Sequence, residues 1–91
     1  MMNYEIFKEV VAEKFKDYLS PQFQDMALRV EPVNKVNKNL DGLTMVSNEA
    51  GRNVSPTIYI NDMYEHYLKT ENLQEVLQSA AKLMEKAFDR V

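Results

Sequence analysis

His66 is the only histidine of the chain, so any acid–base, nucleophilic or metal chemistry that needs an imidazole must run through it. Asp62 precedes it by one helical turn and Glu65 adjoins it, a spacing that lets a carboxylate and an imidazole share a proton or a metal ion. A protein metal site takes three or more ligands, and the sequence places no third one, so the expectation is a surface or rim histidine, no metal and no cofactor. Asp41, Asp62 and Glu65 have the residue types of a glycosidase carboxylate pair. That chemistry needs a fixed separation across a cleft, which a chain this short rarely encloses. Gly42 and Gly51 stand alone, without the spacing of a phosphate-binding loop. The chain has no cysteine, which excludes disulfides and thiolate metal sites. These residues predict a protein that is not an enzyme.

Aromatic residues offer a different chemistry, that of recognition. Tyr59, Tyr64 and Tyr67, with Met63 between them, concentrate around one junction of the chain. Most of this group is explained as the edge of a core, since residues three and four apart share a helix face. The sharper reading is a contact surface made of Pro56, Tyr59, Met63, Tyr64 and Tyr67, because tyrosine and methionine are enriched at interfaces.

The stretch that positions them, NVSPTIYINDMYE at 53–65, is where a strand hands over to a helix, and the other elements are predicted to pack around it. Val54, Thr57, Ile58, Tyr59 and Ile60 are β-branched or aromatic and fit a pleated, half-buried surface. Pro56 lacks an amide hydrogen, which places it at the strand's first residue or on an edge and leaves 57–60 as the paired portion. Asn61 is the predicted cap of a helix that begins at Asp62, whose charge suits the positive end of the helix dipole.

Upstream, Asn3 caps a helix in which Phe7, Val11, Phe15 and Tyr18, broadened by Ile6, Val10 and Leu19, form an apolar stripe. Glu5, Glu9, Glu13 and Asp17 form an acidic ridge on the other side, with Glu13–Lys16 and Lys14–Asp17 as offsetting pairs. Such a ridge is ordinarily a solvated face; a contact strip for a basic partner is the sharper alternative. Ser20-Pro21 ends the helix, and Ser20 can cap one further turn that carries Phe23 back to the core. Met26 to Val30 alternates with a period of two and reads as the first strand, with Pro32 marking a bulge or an edge. NKVNKN at 34–39 joins a hairpin to a second strand, Leu40 to Val46, in which Leu43 and Met45 face one way and Gly42 marks a bulge or a close approach. SNEAGRN at 47–53 is a loop that returns the chain to the opening stretch, so the economical topology is an antiparallel meander. Lys69 and Thr70 leave helical periodicity, and NLQE at 72–75 is a capping-box variant. From it Leu73, Val76, Leu77, Ala80, Leu83, Met84, Ala87 and Phe88 keep helical spacing, with Lys82, Lys86 and Arg90 towards the negative end of the dipole. The fold class this predicts is α+β in the order α-β-β-β-α-α, one domain over 1–91, two layers, with the first and last helices on one face of the sheet. On the open face, Arg29, Glu31 and Thr44 favour solvent, while Val33 and Val46 leave room for a contact.

Ninety-one residues with 45% hydrophobic and 27% charged content make an ordinary small globular domain. The N-terminus carries charges every few residues and lacks an apolar signal core, and no run approaches a membrane span, so no membrane association and a cytoplasmic location are expected. The net charge is −3 and the pI about 5.1, which disfavours nucleic acid as a partner.

After an N-terminal NYEIFKEVV, the motif LDGLT at 40–44 and the run PTIYIND at 56–62, followed by Tyr64 and Glu65, resemble the N-terminal portion of an uncharacterised domain family of Gram-positive gut anaerobes. The likeness extends to ENLQEVL at the start of the last helix and so covers nearly the whole chain. Its motifs are structural in type, and the resemblance implies a domain of unknown function with no activity, substrate or catalytic residue to carry over. Many members continue into a second region, which implies a stand-alone version, a truncated one, or the front end of a larger protein. Arg52 and Asn53 lie in a loop that carries no functional weight. The leading expectation is a non-catalytic protein-interaction module, or a small self-associating domain, acting through the sheet edge near Pro56 or the Tyr59–Tyr67 surface. The alternatives are an accessory domain of a larger enzyme or defence-type protein, and a weak nucleic-acid binder in which Arg29, Lys35, Lys38 and Arg52 converge.

Overall fold

Asn3 opens the first helix as predicted: its Oδ1 accepts the amide of Ile6 at 2.9 Å, and α1 runs from Tyr4 to Lys14. The computed structural model describes residues 1–46 and 57–88. Phe7, Val11 and Phe15 of the apolar stripe are fully buried, whereas Ile6 lies largely in solvent because it sits at the edge of that stripe. The helix tightens into 3₁₀ turns at Phe15–Tyr18 and Pro21–Phe23, the second with proline in its first position and Phe23 turned into the core. Ser20 holds the N-cap position of that turn without a side-chain cap bond; its amide and hydroxyl both donate to the Glu85 carboxylate, tying the segment after α1 to the last helix. The acidic ridge is exposed, and the ion pair formed on α1 is Glu5–Lys8 at 3.5 Å rather than Glu13–Lys16 or Lys14–Asp17.

β1 spans Ala27–Lys35 and β2 spans Lys38–Val46, antiparallel and in unbroken register from Ala27 opposite Val46 to Lys35 opposite Lys38. The expected bulge at Pro32 is therefore absent. β1 is an edge strand, where every second amide points to solvent, and Pro32 fits one of those positions without disturbing the ladder. Val36 and Asn37 alone form the turn, with φ of 51° and 62°, the positive pair of a type I′ hairpin. Gly42 marks no bulge either, but the predicted close approach holds: a Cβ there would lie 2.7 Å from Thr57 Cγ2 and 3.2 Å from Val33 Cγ2.

β3 comprises only Ile58–Tyr59, paired antiparallel with Leu43 and Gly42 at the other edge of the sheet. Thr57 lies outside the ladder and Ile60 is already helical and buried, so the strand is half as long as the sequence predicts. α2 (Ile60–Thr70) is capped by Tyr59 without a side-chain bond. Asn61 is not the cap. Its Oδ1 accepts the Asp41 amide at 2.8 Å, replacing the strand partner that Asp41 loses where β3 turns into helix. α2 continues through Thr70 and ends at Glu71 in the left-handed region, φ 53°. Asn72 then starts α3 (Leu73–Phe88) through Oδ1 and the Glu75 amide, 3.1 Å, as the capping motif predicts.

The middle helix, α2, lies against β2 and is flanked by α1 and α3, so it and not the outer pair forms the centre of the helical layer. Leu43 and Met45 from the sheet meet Ile60 and Met63 of α2, Val76, Leu77 and Met84 of α3, and the α1 stripe in one buried cluster. The other sheet face carries Arg29, Glu31, Val33, Thr44 and Val46 by strand alternation. Among the described residues no helix is long and apolar enough to cross a membrane.

Candidate functional site

β3 leaves its outer edge unpaired among the described residues, and residues of β3, α2 and α3 line a groove of about 310 Å³. Ile58, Met63, Val76, Ala80 and Leu83 give it apolar walls; Thr57, Tyr59, Asp62, His66 and Ser79 supply polar groups. The α3 wall follows from helical spacing, since residues 76, 79, 80 and 83 fall on one face. Val76 and Ala80 are buried, but Leu83 is 59% exposed at the lip, so the apolar stripe read from α3 extends beyond what the core covers.

Asp62 and His66 both reach this groove, one turn apart on α2, as their spacing implies. Among the described residues no three His, Asp or Glu side chains gather as a metal would require. Asp41 is committed elsewhere. Its carboxylate accepts the Tyr4 hydroxyl and lies 3.7 Å from Lys8 Nζ, which also stands 5.8 Å from the Tyr4 ring centroid. Burial first, then the hydrogen bond and negative charge of Asp41, push the Tyr4 hydroxyl well above its ordinary range, so it remains a proton donor.

Of the five residues read as a contact surface, the four that the structure describes divide between two faces of α2 and its approach. Met63 forms part of the groove's inner wall and is 6% exposed, and Tyr59 borders the groove with Lys35 Nζ 5.3 Å from its ring centroid. Tyr64 and Tyr67 lie half a helical turn away from Asp62 and His66 and face α1. Tyr67 stacks on Phe7 at 5.3 Å, Tyr64 meets Tyr4 edge-on at 5.4 Å, and the Tyr64 hydroxyl donates to the Met2 carbonyl at 2.9 Å. They fasten the N-terminal segment. Pro56 lies outside the described residues, as does Arg52. Arg29, Lys35 and Lys38 do share the open sheet face, but Arg29 pairs with Glu31 at 3.3 Å, which leaves the two lysines.

Sequence reasoning missed Ser79 and Leu83 as groove residues and Tyr4 and Lys8 as partners of Asp41. Leu83 carried a weak signal, as the outermost member of the α3 stripe; the Tyr4–Asp41 contact spans 37 positions and carried none.

No curated protein and no solved structure matches the chain. Residues 4–91 match a family of unknown function, DUF5688. With all but the first three residues covered, the chain belongs to the DUF5688 family.

Proposed function

We propose that the domain is a non-catalytic interaction module that takes an extended peptide along the free edge of β3, with an apolar side chain of the peptide seated in the adjoining groove. The observation that carries this reading is the groove itself: apolar walls, an exposed leucine at the lip, and alongside it a strand edge that no other described strand pairs with. Strand addition draws affinity from main-chain hydrogen bonds and specificity from side-chain pockets next to the edge. A volume of 310 Å³ lies at the bottom of the range of small-molecule sites, roughly 300–1,000 Å³, and suits a side chain or two. Asp62, exposed at the rim, favours a lysine or arginine next to the apolar residue of the partner. The commitment of Asp41 to Tyr4 and Lys8 supports a reading without acid–base chemistry.

Selection from a displayed random-peptide library, followed by calorimetric titration of the selected peptides, tests this. The expected peptides carry an apolar residue beside a basic one, and Leu83→Lys weakens their binding at least tenfold. Peptides that bind Leu83→Lys as tightly as the parent protein refute the assignment.

A further inference from the structure

We infer that the groove beside β3 is filled by the β1–β2 hairpin tip of a second copy of this chain, with Val36 in the apolar groove and Lys35 and Lys38 near Asp62. This rests on the reading of the groove as the seat of a partner's apolar side chain and narrows it to one occupant, which enters as a turn and not as an added strand.

Val36 is 84% exposed and holds φ at 51°, a region where a β-branched side chain is strained and where asparagine or glycine sits without difficulty. The turn itself gives no reason for valine. An apolar side chain held out from the body on a tight turn is, however, shaped to enter a groove. On either side of it Lys35 and Lys38 face each other directly across the two strands, a like-charge pair that is unfavourable in isolation. Neither forms an ion pair among the described residues; Lys35 lies instead over the Tyr59 ring. An apolar knob flanked by two positive charges complements an apolar groove with the Asp62 carboxylate at its rim.

Within one chain Lys35 touches Tyr59 at the border of the groove, but Val36 does not reach the groove. Gly42 is paired with Tyr59, and Val36 lies level with Asn37 at the far end of the hairpin, ~17 Å along β2 at the rise of a strand. Tip and groove are different patches, so the contact is head-to-tail, and assembly by it is open-ended and does not stop at a dimer.

Sedimentation equilibrium from micromolar to millimolar protein tests this, with two variants that retain the fold because both positions are exposed. Val36→Asp disables the tip while easing the backbone, since aspartate tolerates positive φ. Leu83→Lys disables the groove. The parent protein is expected to gain mass with concentration without a plateau at two copies. Each variant alone has an association constant at least about tenfold lower, the order expected for removing one buried aliphatic side chain. An equimolar mixture of the two forms a discrete one-to-one complex and nothing larger, because it contains one working tip and one working groove. A parent protein that stays monomeric at millimolar concentration, or Val36→Asp associating as the parent does, overturns the inference. If the parent is monomeric while selected peptides still bind and Leu83→Lys abolishes their binding, the second copy is excluded and the peptide site stands. If the selected peptides are also indifferent to Leu83→Lys, both fall.

Discussion

Replacing Val36 by asparagine separates backbone strain from surface burial in a single substitution. The hairpin requires positive φ at both central residues, 51° at Val36 and 62° at Asn37. Holding an ordinary residue in the left-handed region costs about 1–2 kcal/mol, and asparagine, whose short side chain hydrogen-bonds locally, largely escapes that cost. The loss on the other side is small. With 84% of Val36 exposed, about a sixth of the side chain is covered, and a sixth of the ~2 kcal/mol for burying valine is about 0.3 kcal/mol. The net expectation is a gain of about 1 kcal/mol, or a rise in Tm of roughly 4–8 °C for a domain of this size. Urea unfolding followed by circular dichroism measures it, at a protein concentration low enough to keep the chain monomeric. The midpoint should rise with an unchanged slope, because the surface exposed on unfolding is the same. A midpoint that falls, or does not move, refutes the strained type I′ turn and removes the main physical anomaly at the hairpin tip.

Four further outcomes follow from the packing. Tyr4→Phe removes the hydroxyl that Asp41 accepts and should cost about 1 kcal/mol at neutral pH. Because the folded Tyr4 hydroxyl keeps its proton to higher pH than the unfolded value of 10.0, its stabilisation is complete below pH 10.0 and is lost as pH rises through the folded value, so the parent and Tyr4→Phe should converge in alkaline unfolding experiments. Glu85→Ala breaks both bonds to Ser20 and Ser20→Ala only one, so calorimetry should find the first the more destabilising, by about 1 kcal/mol. Gly42→Ala places a Cβ against Thr57 and Val33 and should lower stability by about 1–3 kcal/mol in denaturant titration. Glu71→Gly relieves the left-handed end of α2 and should raise stability by about 1 kcal/mol in the same assay.

Elements whose pattern is local were legible in the sequence. The α3 stripe and its Asn72 cap, the α1 stripe, and the alternation of Leu43 and Met45 against Thr44 and Val46 each depend on spacing within one segment, and the structure bears them out. Pro32 left a bulge and an edge position open, and the structure bears out the edge: a proline breaks the ladder only where its amide would be paired, and edge position is decided by strand order. Asn61 was misleading. An asparagine before a helical run is usually its cap, but here the strand ends two residues before Asn61 and the Asp41 amide competes for its oxygen. Tyr64 and Tyr67 have the composition of a contact surface, yet α2 sits in the middle of the helical layer, and α1 covers the face they occupy. The groove draws on β3, α2 and α3 together, so Tyr59, Met63 and the Asp62–His66 pair, all within one stretch of sequence, were visible beforehand and the α3 wall was not.

We propose that this domain holds a partner in the groove between β3, α2 and α3. Titration of the isotopically labelled protein with a selected peptide, followed by backbone amide NMR, tests it most directly. The amides of Ile58, His66, Ser79 and Leu83 should shift together and saturate with the peptide, and Leu83→Lys should remove the response. Saturable shifts centred instead on Arg29, Thr44 and Val46 of the open sheet face, or on the acidic ridge of α1, with the groove amides unmoved, would contradict it.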